Sequence, residues 1–356
     1  MIKYFITIFI FCIILFLYLH IHYHLKCSND LEVYTIESPS KQKLEEICDL
    51  RQPVIFDFTN KRLLESCNLT SLDDNYGAFD IQIRDKTNKN DNDELYLPFL
   101  LKEAIEIFQN DKEGKYITEK NYDFLKETGA IKNYRYNDSF LRPPLVSKCI
   151  YDFMSGSINS VTPLRYELNY RNYFYITSGK ILLKLIPPHS SKYLYTIKDY
   201  DNFEFRSPLN VWDIQPQYEA DFDKVKVLDV ELNAGEIIYI PAYWWYSIKF
   251  KKLSSICCLK YRTFMNMLAI SPEIVLSLLQ SQNIKREIAP KADVVSRKEK
   301  EDKKNDPIDI QTDREIFTKI DDAPKDLEAT RALTGFLLGS KRGGTDSDVN
   351  EKLATT

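Results

Sequence analysis

The chain has 356 residues, 44% hydrophobic and 13% aromatic, enough apolar material for a sizeable core and too much for wholesale disorder. Its 48 Lys and Arg against 52 Asp and Glu leave a formal net charge of -4, so no global basic field exists to neutralise nucleic-acid phosphates. Only four histidines occur, three of them at His20, His22 and His24, and the seven cysteines lack the CxxC spacing of a zinc site or a disulfide framework.

Residues 4–21 (YFITIFIFCIILFLYLHI) are almost wholly apolar and are flanked by Lys3 and Lys26. Eighteen helical residues span roughly 27 Å, close to the hydrocarbon thickness of a bilayer. The bulky HYHLKCSND that follows offers no small-x-small cleavage site, so residues 1–27 read as an uncleaved single-pass anchor. Tyr18 and Tyr23 suit the interfacial belt. Charges on the two flanks nearly balance, and the sequons at Asn68 and Asn137 do not decide the orientation, so the side of the membrane stays open.

Residues 28–147 mix strands and helices. The segments 53–58 (PVIFDF) and 78–83 (AFDIQI) predict strands, and 84–94 predicts a solvated loop. From Pro98 to Gln109, Leu100, Leu101, Ala104, Ile105 and Phe108 repeat at helical spacing behind an early proline, predicting an amphipathic helix. Residues 115–121 and 140–144 read as irregular. From 148 to 265 the pattern changes to short β runs: CIYDFM, NYFYIT, KILLKLI, KVKVLDVEL, EIIYI, WYSIKF and SSICCLKY. Turn markers at Ser178-Gly179 and Asn233-Ala234-Gly235 separate them, which indicates a barrel or jelly roll. Within 266–284, SPEIVLSLLQSQ predicts a helix capped by Ser271 with Pro272 at its first position. The remainder, 285–356, opens on a dense mixed-charge run, a solvated linker, with one further helix expected around Leu327 to Leu338.

Three blocks stand in order: Gly156-Ser-Ile-Asn-Ser-Val-Thr162-Pro-Leu-Arg165-Tyr-Glu167, then Asn172-Tyr-Phe174 leading to Ile186-Pro187-Pro188, then Gly235-Glu-Ile-Ile-Tyr-Ile-Pro241-Ala-Tyr-Trp244-Trp245-Tyr246. Together they resemble the cupin-like branch of the JmjC-domain family, the factor-inhibiting-HIF-like Fe(II)/2-oxoglutarate hydroxylases. The resemblance covers roughly residues 50–265. It implies a mainly β fold, a double-stranded β-helix with flanking helices, here preceded by one transmembrane helix.

The same resemblance implies a facial triad of two imidazoles and a carboxylate on one side of iron. Its first two ligands are two residues apart because side chains alternate across a strand. At the matching positions this chain keeps the carboxylate, Glu167, but carries Arg165 and Tyr246 where imidazoles are expected. An arginine is permanently cationic and offers no lone pair to a metal. Arg165 and Glu167 are therefore expected to form an ion pair inside the pocket, with Tyr246 capping it by a hydrogen bond. His189, the last histidine, reads as a surface residue.

Cosubstrate-pocket positions implied by the family fall on Thr162, Asn172, Phe174 and Trp245, with Lys180 and Lys184 beside the expected gripping lysine, where Ile181 stands. Parity turns both lysines to the opposite face unless a bulge intervenes. Trp244, Trp245 and Tyr243 read first as core and rim aromatics.

The resulting expectation is a membrane-anchored cupin-like binding or scaffold module, a catalytically inactive relative of the oxygenases, with no cofactor and no nucleic acid. Its partners would be an unknown protein or a small anionic ligand, and a homodimer through the C-terminal helix is open. The alternative is an active oxygenase using Fe(II) and 2-oxoglutarate with divergent ligands. Nucleophilic catalysis and phosphate-cradling loops have no support: no Gly-x-Ser-x-Gly, P-loop or Cys/His pair appears, and there are ten glycines in all.

Overall fold

The N-terminal apolar run forms one helix, Ile2–Leu25, about 36 Å long at the usual rise. It is long and apolar enough to cross a membrane. Residues 2–16 are exposed, while Leu17, His20 and Ile21 are half-buried and His24 is buried, so one stripe of the last two turns rests on the body. There it packs against the helix Phe264–Ala269. Arg51 donates from Nη1 to the carbonyls of His24 (2.9 Å) and Lys26 (2.8 Å) and stacks over Tyr23, satisfying the unpaired carbonyls of the helix end.

The computed structural model describes residues 1–85, 96–200 and 202–282. The expected 84–94 loop, the mixed-charge linker and the helix near Leu327 lie largely or wholly outside them. In chain order the strands are β1 (Tyr34–Ile36), β2 (Val54–Asp57), β3 (Asp80–Asp85), β4 (Tyr96–Leu100), β5 (Tyr116–Thr118), β6 (Val146–Gly156), β7 (Arg165–Tyr166), β8 (Arg171–Ser178), β9 (Lys180–Ile186), β10 (Ile197–Asp199), β11 (Glu204–Arg206), β12 (Leu228–Asn233), β13 (Glu236–Ile240), β14 (Trp245–Phe250) and β15 (Ser254–Thr263). One sheet has the order β1-β2-β13-β8-β15-β6-β5-β3-β4, the other β10-β11-β7-β14-β9-β12. Every pairing but β1 with β2 is antiparallel.

Period-two burial assembles these strands. On β8, Phe174 and Ile176 enter the cluster between the sheets with Ile181, Leu183, Ile238, Trp244, Ile248 and Ile256. Tyr173 and Tyr175 point the other way, onto Leu44, Leu63, Leu101, Phe108 and Phe124 of the helices between 41 and 127. The adjacent Cys257 and Cys258 divide in the same manner, one into each cluster. Both are buried free thiols.

Three local expectations are corrected. Pro98 belongs to β4, paired with Gln82, and the helix starts only at Leu101. Because β4 is the outer strand of its sheet, a residue without an N–H is tolerated there. Residues Tyr116–Thr118, expected to be irregular, pair with β3 and β6. The last described helix begins at Ser271 rather than after it, with the Ile270 carbonyl accepting from Ile274 N–H, and a separate helix, Phe264–Ala269, precedes it.

Candidate functional site

A cavity of about 500 Å3 opens at one end of the two sheets. Strand alternation builds one wall: β6 contributes Lys148, Ile150 and Asp152, and β15 contributes Lys260 and Arg262. In register these give the cross-strand pairs Arg262 with Lys148, Lys260 with Ile150, and Cys258 with Asp152. The facing wall carries Arg165 of β7, the neighbouring Glu167, and Glu204 of β11. Met267, Ile274 and Leu278 of the two C-terminal helices form the rim.

The expected ion pair between Arg165 and Glu167 is not made. β7 ends at Tyr166, so the same-face rule for residues two apart stops before Glu167. Arg165 instead binds Glu119 through Nη2, with Glu204 at 3.9 Å from Nη1 and the Tyr246 ring 5.7 Å away. Glu119 is buried and also accepts from the Tyr96 hydroxyl at 3.0 Å, with Arg84 at 3.7 Å. Burial alone would raise its carboxyl, but Arg165 and Arg84 reverse this and hold it at about 2.

Glu167 turns to the opposite wall. Its Oε1 accepts from Lys260 Nζ at 2.6 Å and from the Tyr246 hydroxyl at 3.0 Å, and Oε2 accepts from Asn169 at 3.1 Å. Burial opposes the charged form, yet Lys260 and Arg165 bring this carboxyl below its ordinary range. Burial would likewise lower the Lys260 amine, but the Glu167 carboxylate lifts it far above its usual value. Burial pushes the Tyr246 phenol up, so it remains a neutral donor. Tyr246 and Arg165 are directly paired across β14 and β7.

The remaining candidate positions do not line this cavity. Thr162 is buried, its hydroxyl accepting from Ile248 N–H at 2.9 Å, which pins the chain to β14. Asn172 donates to the Ile240 carbonyl at 3.1 Å and accepts from Asn169. Phe174 packs on Tyr246 with ring centroids 5.1 Å apart. Lys180 and Lys184 face outward and pair with Glu231 (2.5 Å) and Asp229 (3.0 Å) on β12. Their position is a correction to the pocket-like assignment, and its cause is parity: Ile181, Leu183 and Leu185 take the inner face of β9 without a bulge. Trp245 lies in a separate cluster with Leu164 and Ile186, its Nε1 donating to Ser191 at 2.8 Å. His189 is exposed.

Four cavity residues were missed. Asp152 orders the turn that carries Glu119, accepting from the backbone N–H of Lys120 (3.0 Å) and Asn121 (2.7 Å). Burial nevertheless keeps its carboxyl above the ordinary range. Lys260 and Asp152 each interrupt an apolar run, a signal available in the sequence because a charge on a buried face calls for a partner. Glu119 gave no such signal. Arg262 is 8% exposed, donates from Nε to Asn169 at 2.6 Å and lies 4.8 Å over the Phe203 ring. Among the described residues its terminal nitrogens have no hydrogen-bond partner, and burial lowers its guanidinium, with Glu167 opposing.

A family described as the cupin-like domain matches residues 39–267. The chain is also 24% identical over 95 residues to HSPB1-associated protein 1 of Rattus norvegicus, a match covering 26% of this chain and 20% of that protein. The chain thus spans about a fifth of that relative's length. The family match takes in well over half of the residues and contains both walls of the cavity, so the chain belongs to the cupin-like domain family.

Proposed function

We propose that this chain is a membrane-tethered cupin-like binding module that works without iron. The observation that carries the reading is the guanidinium of Arg165, bound to buried Glu119 at the position where the JmjC resemblance expects a first imidazole. The second imidazole position holds a neutral phenol, Tyr246, and the one retained carboxylate, Glu167, is already committed to Lys260. These residues do not fit a three-donor iron centre: two fixed cations occupy the space, and a metal would have to displace a strong ion pair. Among the described residues no three His, Cys, Asp or Glu side chains are grouped to hold a metal ion.

Metal analysis tests this directly. The full chain, purified in detergent and incubated anaerobically with Fe(II), is expected to keep no stoichiometric iron after desalting. The Arg165→His/Tyr246→His/Lys260→Met variant, which supplies two imidazoles and frees Glu167, is expected to retain it. Iron retained by the unaltered chain, with turnover of 2-oxoglutarate to succinate, would support the oxygenase alternative and sink the present reading.

What the cavity binds follows from the charge left over. Arg165 and Lys260 are matched by Glu119 and Glu167, Lys120 by Glu204, and Asp152 is held by backbone N–H groups, whereas Arg262 directs unused donors into the cavity beside exposed Lys148. An anionic group answers both. Inorganic phosphate is therefore expected to raise the thermal midpoint of the full chain more than chloride at equal ionic strength. Arg262→Gln should abolish that difference; its persistence would exclude Arg262 as the receptor.

A further inference from the structure

We propose that the helices Phe264–Ala269 and Ser271–Gln282 make a second, in-plane contact with the bilayer, at the boundary between headgroups and acyl chains. This rests on the reading of Ile2–Leu25 as a membrane-crossing helix. Phe264, Leu268, Val275, Leu276, Leu278 and Leu279 are all exposed, from 40% at Leu268 to 65% at Phe264. Large apolar side chains gathered on two consecutive helices are not ordinary water-facing surface. Across residues 264–282 the only charged side chain is Glu273.

The rotation of the second helix is set by its inward residue. Ile274 packs against the cluster of Leu168, Phe205 and Ile270 and, with Leu278 one turn on, faces the cavity, which leaves Val275, Leu276 and Leu279 turned out. The occupant of that face follows from the tether. Ile2–Leu25 lies against Phe264–Ala269 through its last two turns, while its earlier turns leave the body fully exposed. A membrane entered by that helix therefore begins within about one helix diameter, roughly 10 Å, of Phe264–Ala269, which Ser271–Gln282 follows directly. Apolar helices at this depth bury their side chains in the interface plane. The other end of the body is remote, because β15 runs ten residues, about 33 Å, from the turn at 251–253 to Thr263.

The contact and the tether are separable by photo-crosslinking of the full chain in phosphatidylcholine proteoliposomes. Benzoylphenylalanine replaces Phe9, Leu279 or the exposed Lys252 in turn. Lipid adducts at positions 9 and 279, with only background at 252, are the expected result. Adducts at 9 alone, with position 279 capturing a second copy of the chain or nothing, overturn the in-plane contact and leave the tether standing. Lipid capture at 279 without capture at 9 supports the contact and removes the tether. Capture at neither position overturns both.

Discussion

Arg165→Met is expected to lower the unfolding free energy of the full chain by roughly 3 kcal/mol, because removing one member of a buried pair strands the other charge. Glu119 is 1% exposed, and what remains to it is the Tyr96 hydroxyl and a more distant Arg84. Replacing both members, Arg165→Met with Glu119→Leu, is expected to recover most of the loss, since a pair of similar-sized apolar side chains avoids the desolvation of two ions. Denaturant unfolding of the two variants beside the parent measures this. A double variant no better than Arg165→Met would mean that the pair does more than neutralise itself, for instance by holding the Asp152-ordered turn in place.

Lys260→Met is expected to cost about the same, roughly 3 kcal/mol near neutral pH, and to change the sign of one pH dependence. In the parent chain Lys260 helps to keep the Glu167 carboxyl below its ordinary 4.5, so the pair contributes stability above that value and loses it as the pH falls. Without Lys260, burial dominates and the folded-state value rises above the unfolded one. The folded chain then holds a proton that the unfolded chain has released, and stability falls as the pH climbs through that window. The deficit should accordingly be largest near neutrality and shrink toward about pH 4. Adding Glu167→Gln should remove both the deficit and its pH dependence. A deficit independent of pH would place the effect in lost packing of the lysine stem instead.

The two pairs bear on how much of the site was legible beforehand. The resemblance located Arg165, Glu167 and Tyr246, and all three converge on one end of the sheets, with Tyr246 donating to Glu167 as anticipated. Which cation meets which carboxylate was not readable. The rule that residues two apart share a strand face holds only while the strand lasts, and β7 lasts two residues. Glu119 comes from a turn about fifty residues earlier, placed by Asp152 through backbone N–H bonds that leave no trace in local periodicity. Lys260 was legible in principle: alternation through SSICCLKYRT sets Ile256, Cys258, Lys260 and Arg262 on one face. The parity argument, by contrast, correctly turned Lys180 and Lys184 away from the interior.

Local periodicity alone determined the apolar N-terminal helix and most of the strands, because burial on a sheet or a span imposes a repeat that neighbouring residues must obey. The same reasoning misplaced Pro98, whose tolerance depends on β4 being an outer strand, a property of sheet order rather than of neighbours. Only the tertiary structure decided the charge pairing of the cavity and the seating of the first helix on Phe264–Ala269. Ion pairs act through space between strands and turns far apart in the chain, so their partners are settled by register and loop path, which no single segment encodes.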